Sequence, residues 1–218
     1  MRTLVLIVAS ILALSRNTLC AAEWKSLFNG KDLTGWKANV YPDSWSVTNG
    51  TIRVNASHES SHLFYVGTGD KNSFLRFTNF ELEVTTRCDG IANSGVFFHT
   101  DYSVKNAKNH LAKGFEVQLN NQARDDRKTG SLYMIKDLDE SPVDETKWFR
   151  MKIRAQNKHI VISVDNRMVV DYTEPTPARP PQGLPGRKWN PTGGAIALQG
   201  HDRTSVYYFK DIRIRELP

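Results

Sequence analysis

Apolar and polar residues alternate one for one in short runs along most of this chain, and that alternation limits it to strands. "FELEVTTRC" sets Phe80, Leu82 and Val84 against Glu81, Glu83 and Thr85, and "FEVQLN", "WFRMKIRA", "HIVISVD" and "SVYYFKDIRIREL" repeat the pattern. Successive side chains of a strand point to opposite faces, so period two predicts strands, whereas an amphipathic helix needs apolar residues roughly every three to four positions. That helical spacing is nearly absent. Asn49-Gly50 lies between two alternating arms and predicts a tight hairpin, and Asp165-Asn166 predicts another. Many short strands divided by turn residues predict an all-β, antiparallel β-sandwich, with the last strand beside the first.

Two stretches break the rhythm. Residues 101–114 are polar, with room for a helical turn. Residues 173–194 hold most of the prolines and cannot continue a strand or a helix for long. Two readings of this segment stand side by side: a surface loop, or a stiff loop at the mouth of a site with Arg187 and Trp189 turned to a ligand.

Residues 1–22 read as a signal peptide, with a basic start at Arg2, an apolar run from Leu4 to Leu14 broken by Ser10, and small residues at Ala21 and Ala22. The apolar run is too short to span a bilayer, so a secreted or periplasmic protein without a membrane span is expected. Residues 23–218 suffice for one domain. Arg2 and Arg16 leave with the leader, which takes the formal charge from +6 to +4. The remaining cations are spread through segments such as "RMKIR" and "DIRIR", so no nucleic-acid partner is expected. Cys88 is then the only cysteine; it shares a face with Phe80, Leu82 and Val84 and reads as a small buried residue, not a nucleophile. No phosphate loop, nicotinamide fingerprint or zinc motif is present, and "DLDE" (137–140) reads as a solvated acidic turn. The cofactor is unknown from sequence: no nucleotide cofactor is evident, and a divalent cation is left open, as is the oligomeric state.

One strand carries an unusual polar row. In "GFEVQLNN" the residues Glu116, Gln118 and Asn120 share a face, a carboxylate followed by two amides. Around it stand "LFNGKDLTGWK" (27–37), "NSGVFF" (93–98), "TGSLY" (129–133), "GAIALQGHD" (194–202) and "YFKDIRIREL" (208–217). Taken in this order the segments resemble the 3-keto-disaccharide hydrolase family over essentially the whole mature chain. Departures fall at His99, where the family often has Arg, and at Asn120-Asn121, where an Asp commonly follows the strand. The resemblance implies a concanavalin-like jelly roll and action on sugars oxidised to a ketone at C3. It also implies a carbohydrate ligand on a concave sheet face lined by Glu116, Gln118 and Asn120.

Ordinary glycosidases place two carboxylates about the scissile bond. On this strand only Glu116 is a carboxylate; Glu81 and Glu83 could serve only if their strand lay alongside. A 3-keto sugar offers another route, because the ketone acidifies the proton on C2. One base removes that proton, the C1 leaving group departs, and water adds to the enone. Glu116 and His201 are the expected catalytic bases. Asn93, Ser94, His99, Gln118, Asn120, Tyr133, Arg187, Trp189 and Gln199 are the expected substrate-binding residues, and no metal ligand is assigned. Trp36 and Trp148 read as core or stacking residues. The competing readings are a non-catalytic carbohydrate-binding sandwich and a structural surface protein.

Overall fold

The computed structural model describes residues 22–56, 58, 60–69, 75–103, 111 and 113–218. The expected leader, apart from Ala22, and positions 104–110 and 112 of the expected helical turn lie outside the described residues. The described strands are β1 (Lys25–Ser26), β2 (Trp36–Ala38), β3 (Trp45–Thr48), β4 (Thr51–Asn55), β5 (Ser61–Tyr65), β6 (Phe80–Cys88), β7 (Asn93–Thr100), β8 (Phe115–Asn120), β9 (Phe149–Gln156), β10 (His159–Val164), β11 (Arg167–Thr173), β12 (Ala195–Gly200) and β13 (Val206–Glu216). They form two antiparallel sheets, as the alternation predicts. The larger runs β11-β10-β9-β6-β13-β4-β3, with β1 also on β13; the smaller runs β2-β5-β12-β7-β8. β1 on β13 brings the first strand to the last, Lys25 opposite Ile214.

The hairpins follow from residues that tolerate left-handed backbone. Asn49 and Gly50 have φ of 48° and 72°, and Asp165 and Asn166 have 45° and 66°, the double positive φ that matches strand twist. The two sheets meet over Ile52, Phe80, Leu82, Phe98, Phe115, Leu119 and Phe209, all fully buried. Trp36 belongs to this core: it packs edge-on to Tyr65 and its Nε1–H donates to Leu27 O at 2.8 Å. Trp148, by contrast, is 39% exposed. Cys88 is buried among the same residues, and burial pushes its thiol up to about 11, so it stays protonated and inert at neutral pH.

The two sheets differ in a way that matters for function. β9 alternates buried and solvent-facing residues along its length, so the larger sheet turns one face to water. Every residue of β5, β7, β8 and β12 is buried. The smaller sheet is therefore covered on both faces, by the core on one and by loops on the other.

One corner fixes those loops. At the end of β7 the backbone of His99 turns through φ 55°. A Cβ on Gly114 would lie 2.4 Å from Phe98 O, and one on Gly194 would lie 2.3 Å from the His99 carbonyl carbon. The glycines that open "GFEVQL" and "GAIALQG" are thus required by close approach. His99 Nε2–H donates to Thr78 O at 2.8 Å, and Nδ1 accepts from Asn190 N at 3.2 Å. The Trp189 ring lies on the His99 ring, with centroids 4.1 Å apart, and joins the core. Of the expected binding residues, His99 gives both ring nitrogens to backbone and Trp189 packs in the core.

Burial pushes the pKa of His99 down to about 4. In the unfolded chain it returns to about 6.5. Between these values the unfolded state binds a proton that the folded state does not, so stability is full above about pH 6.5 and falls as the pH drops towards 4. The loss attributable to His99 is expected to reach roughly 3 kcal/mol at most. Urea titrations at several pH values will measure it against His99→Asn, whose residue type tolerates positive φ. The variant should lose less stability than the wild type between neutral and acid pH; equal losses would place the acid sensitivity elsewhere.

Candidate functional site

The loop-covered face of the smaller sheet is built from alternate residues of β5, β12, β7 and β8. Register pairs Phe97 with Glu116, Gly95 with Gln118 and Asn93 with Asn120. It also pairs Gln199 with His62 and Ala197 with both Phe64 and Phe97. Paired residues share a face. Half of this face is apolar, where Phe64, Phe97, Ala195 and Ala197 cluster with Leu111. The other half is polar and holds Glu116, Gln118, Asn93, Gln199 and His62, none more than 4% exposed. The polar row of β8 is not a wet outer face; it is roofed by loops.

Gly95 makes room at the centre. A Cβ there would stand 2.9 Å from Glu116 Oε1 and 3.4 Å from Gln199 Oε1, so both side chains lean over the glycine. Arg187 comes down from the proline-rich loop and donates from Nη2 to Glu116 Oε2 at 3.4 Å. The loop reaches this point because Lys113 and Gly186 form a β-bridge and because the Trp189 N–H donates to Glu174 Oε2 at 2.7 Å. The Arg187 guanidinium also lies over the ring of Tyr133, 5.1 Å from its centroid. Tyr133 is held there by its N–H, which donates to Glu116 O at 3.0 Å. Among the described residues, Arg187 Nε and Nη1 and Gln199 Oε1 are buried with no hydrogen-bond partner. Buried donors without partners are costly, and such groups mark places where a ligand or water supplies the bond.

Burial raises the pKa of Glu116 above the ordinary carboxylate range, with the charges of Arg187 and His201 opposing it. Burial, then the Glu116 charge, raises the Tyr133 hydroxyl. His201 follows β12 directly and is half-buried; its Nδ1–H donates to Asp202 Oδ1 at 2.9 Å. Burial works against ionisation of Asp202, but a 2.5 Å hydrogen bond from Gln122 Nε2, the His201 charge and the His201 hydrogen bond outweigh it and hold its pKa low. With Nδ1–H given to Asp202, neutral His201 carries its lone pair on Nε2.

The structure thus gathers Glu116, Arg187, Tyr133, Gln199, Gln118 and Asn93, with His201 close enough to Glu116 for its charge to be felt. Two further expected binding residues spend polar groups within the protein. Ser94 alternates with Gly95 and faces the core; its Oγ–H is spent on Gln199 O at 2.5 Å. Asn120 holds the adjoining loop, donating to Arg127 O at 2.9 Å and accepting from Gln122 N at 2.9 Å, so its amide is engaged within the protein. Glu81 and Glu83 belong to the other sheet and pair with Arg215 and Arg213, so neither is a second carboxylate here. Sequence reasoning missed Asp202, Gln122, His62 and Gly95. Asp202 alone had a signal, since it stands beside His201 in "GHD". Among the described residues no group of three or more His, Cys, Asp or Glu side chains is placed to hold a metal ion.

The fold is thus an antiparallel sandwich whose smaller sheet buries a polar half-face under loops. The chain belongs to the 3-keto-alpha-glucoside-1,2-lyase-like domain family, whose profile matches residues 23–215. It is similar to a 3-keto-disaccharide hydrolase of Bacteroides thetaiotaomicron, 25% identical over 167 residues that make up 67% of this chain and 57% of that protein. The chain therefore spans little more than half the length of this relative. Among solved structures it is similar to a candidate glycosyl hydrolase from Parabacteroides distasonis, with TM-score 0.72, 22% identity and coverage of 89% and 94% of the two chains. It is also similar to a Bacillus subtilis protein of unknown function with a galectin-like fold, with TM-score 0.59, 11% identity and coverage of 90% and 96%. These two likenesses show the fold.

The Glu116–Arg187 pair gives a direct test of the site's electrostatics. Removing one partner of a buried pair leaves an uncompensated charge, which costs about 3–5 kcal/mol. Arg187→Ala is expected to lose stability on that scale at neutral pH. Adding Glu116→Gln to it should restore most of the loss, because the stranded charge is gone. Chemical denaturation of the two single variants and the double variant measures the coupling; losses that simply add would mean that the two side chains do not interact.

Proposed function

We propose that this chain is an exported enzyme that cleaves the glycosidic bond of 3-keto sugars by elimination and hydration. The observation that carries the reading is the company Glu116 keeps. Its nearest charged partner is Arg187, with two buried N–H groups unsatisfied, and not a second carboxylate. A site with one buried carboxyl group, a histidine held by an aspartate and surplus donors suits proton abstraction beside a ketone better than displacement at C1. Membership of a family described as 3-keto-alpha-glucoside-1,2-lyase-like supports the same chemistry. Export rests on the basic start and the short apolar run of residues 1–22.

In this reading His201 Nε2 takes the proton from C2, with Asp202 fixing the ring and stabilising its charge. The electron pair left on C2 forms the double bond to C1 as the C1–O bond breaks, and the departing oxygen takes a proton from water. Arg187 and the hydroxyl of Tyr133 donate to the C3 oxygen, where negative charge develops. Water then adds to C1 and a proton returns to C2, so the sum is hydrolysis.

Turnover in heavy water separates this route from displacement, which never touches C2. A 3-keto-glucoside should yield sugar with deuterium at C2 above the exchange shown by substrate alone, and a substrate deuterated at C2 should react more slowly. His201→Ala should lose cleavage and enzyme-dependent exchange together. If that variant keeps both and Glu116→Gln loses both, the base is Glu116. Cleavage without any effect of C2 deuteration would point to a conventional hydrolase, and sugar bound but unchanged would make the chain a binding module.

A further inference from the structure

The larger sheet turns a strongly basic face away from the core, on the opposite side of the molecule from the site. Alternation places Arg150, Lys152 and Arg154 of β9 outward, between the buried Met151, Ile153 and Ala155. It does the same for Lys210, Arg213 and Arg215 of β13, where a bulge at Asp211 keeps the cations outward on both sides of it. Register assembles these with β6 and β4 into cross-strand rungs. Tyr208 stands between Arg53 and Arg87, and Thr85 between Lys210 and Arg150. Glu83 lies between Arg213 and Lys152, and Glu81 between Arg215 and Arg154. "RMKIR" and "DIRIR" are separate in sequence and adjacent in space.

The carboxylates do not balance this face. Glu81 pairs with Arg215 and Lys152, Glu83 with Arg213, and Asp89 with Arg87. Among the described residues Arg53, Arg150, Arg154 and Lys210 make no ion pair, although the charge of Arg53 acts on Asp89 and Asp211 lines the same cleft as Arg150; with Arg87, Lys152, Arg213 and Arg215 these cations outnumber Glu81, Glu83, Asp89 and Asp211. Aromatic rings are set among the cations. Lys210 Nζ is 4.2 Å from the centroid of the part-exposed Trp148 ring, and the Arg87 guanidinium is 4.3 Å from that of Tyr208. Arg213 and Arg215 each lie 4.9 Å from the Trp24 ring. Two clefts open on this face. One, of about 430 Å³, is lined by Trp24, Thr85, Arg150 and Arg213 and also by the carboxylates Glu83 and Asp211; the second, of about 290 Å³, holds cations without carboxylates, with Arg87, Trp148, Tyr208 and Lys210 in its lining.

We propose that this outward face binds an acidic polysaccharide, with carboxylates of the polymer on the surplus cations and sugar rings against the aromatic edges of the two clefts. A guanidinium stacked on a ring keeps its N–H edge for an anion, and aromatic side chains supply the apolar body that a sugar ring covers. The spacing favours a glycan over a nucleic acid. Duplex DNA carries a charge about every 1.7 Å of its axis and rewards an unbroken basic stripe. Here the cations are interrupted by Glu81, Glu83 and Thr85, which suits a polymer with hydroxyls between its charges. This inference does not rest on the proposed reaction.

Native gels containing polygalacturonate or a neutral glucan test it with the intact protein. Retardation is expected in polygalacturonate alone, weakening about tenfold between roughly 50 and 200 mM salt. Arg150→Ala combined with Lys210→Ala should weaken it at least about fivefold. Neither side chain makes an ion pair, so the melting temperature of the variant should hold. Equal retardation by the neutral glucan, or an unchanged double variant, would overturn the proposal. So would binding of duplex DNA or phosphatidylglycerol vesicles as tight as that of polygalacturonate, since the face would then be a general polyanion surface.

Discussion

A carboxylate cannot be taken out of water alone, and the covered face of the smaller sheet is organised around that fact. An unpaired ion in a protein interior costs several kcal/mol even after relaxation, a large part of the net stability of a domain this size. Glu116 is 3% exposed, so Arg187 has to be beside it. Arg187 belongs to a loop, so the loop has to be held, and the contacts that hold it run outward in order. Gly186 bridges Lys113, Glu174 caps the Trp189 N–H, Trp189 lies on His99, and His99 ties Asn190 to Thr78. The prolines reduce what the loop loses on being ordered. The segment is neither a free lid nor inert surface; its Trp is packing and its Arg is part of the site.

The two sheets divide the work by dielectric. On the smaller sheet the loops exclude water, so the few charges act strongly on one another and shift each other's pKa. On the larger sheet, charges such as Arg150 and Arg154 stand in water, where pairs are worth little and salt screens them. The first setting suits chemistry on one small group. The second suits many weak contacts with a long polymer. Each setting depends on the burial pattern of its sheet.

The alternation told most of the fold and part of the site. The antiparallel sandwich, the Asn-Gly and Asp-Asn hairpins and the pairing of first and last strands were legible because they depend on local backbone preference and on which side of a strand is apolar, whereas β1, β2 and β5 carried no such signal. The turn at Asn157-Lys158, with φ of 51° and 69°, was not, because lysine carries no left-handed signal. The polar row of β8 was visible, but its burial was not: the loops that roof it lie far away in sequence. Alternation could have separated Ser94 from Gly95, since they are neighbours on one strand and must face opposite ways. Where Asn120 and His99 spend their hydrogen bonds was hidden for another reason. Both look like ligand groups, and both spend their hydrogen bonds on backbone that only the folded loops bring near. The basic face shows the converse, scattered along the chain and contiguous once β9, β6 and β13 pair.

Two carboxyl groups near one another with pKa values driven apart are a means of assigning roles. Burial raises Glu116, while hydrogen bonds and the His201 charge hold Asp202 low despite its burial. The low one stands behind the imidazole, bonded to Nδ1, and so acts through it; the high one lies on the sheet with an arginine at its side. If both faced a glycosidic bond directly, they would make the acid and nucleophile of an ordinary glycosidase. With one of them behind a histidine, the group that the proposed mechanism sets against the substrate on that side is an imidazole. Such a base is matched to a carbon acid made weakly acidic by an adjacent ketone, not to an unactivated sugar. The place of Asp202 thus supports the proposed preference for 3-keto substrates, whose ketone a separate oxidation would have to create.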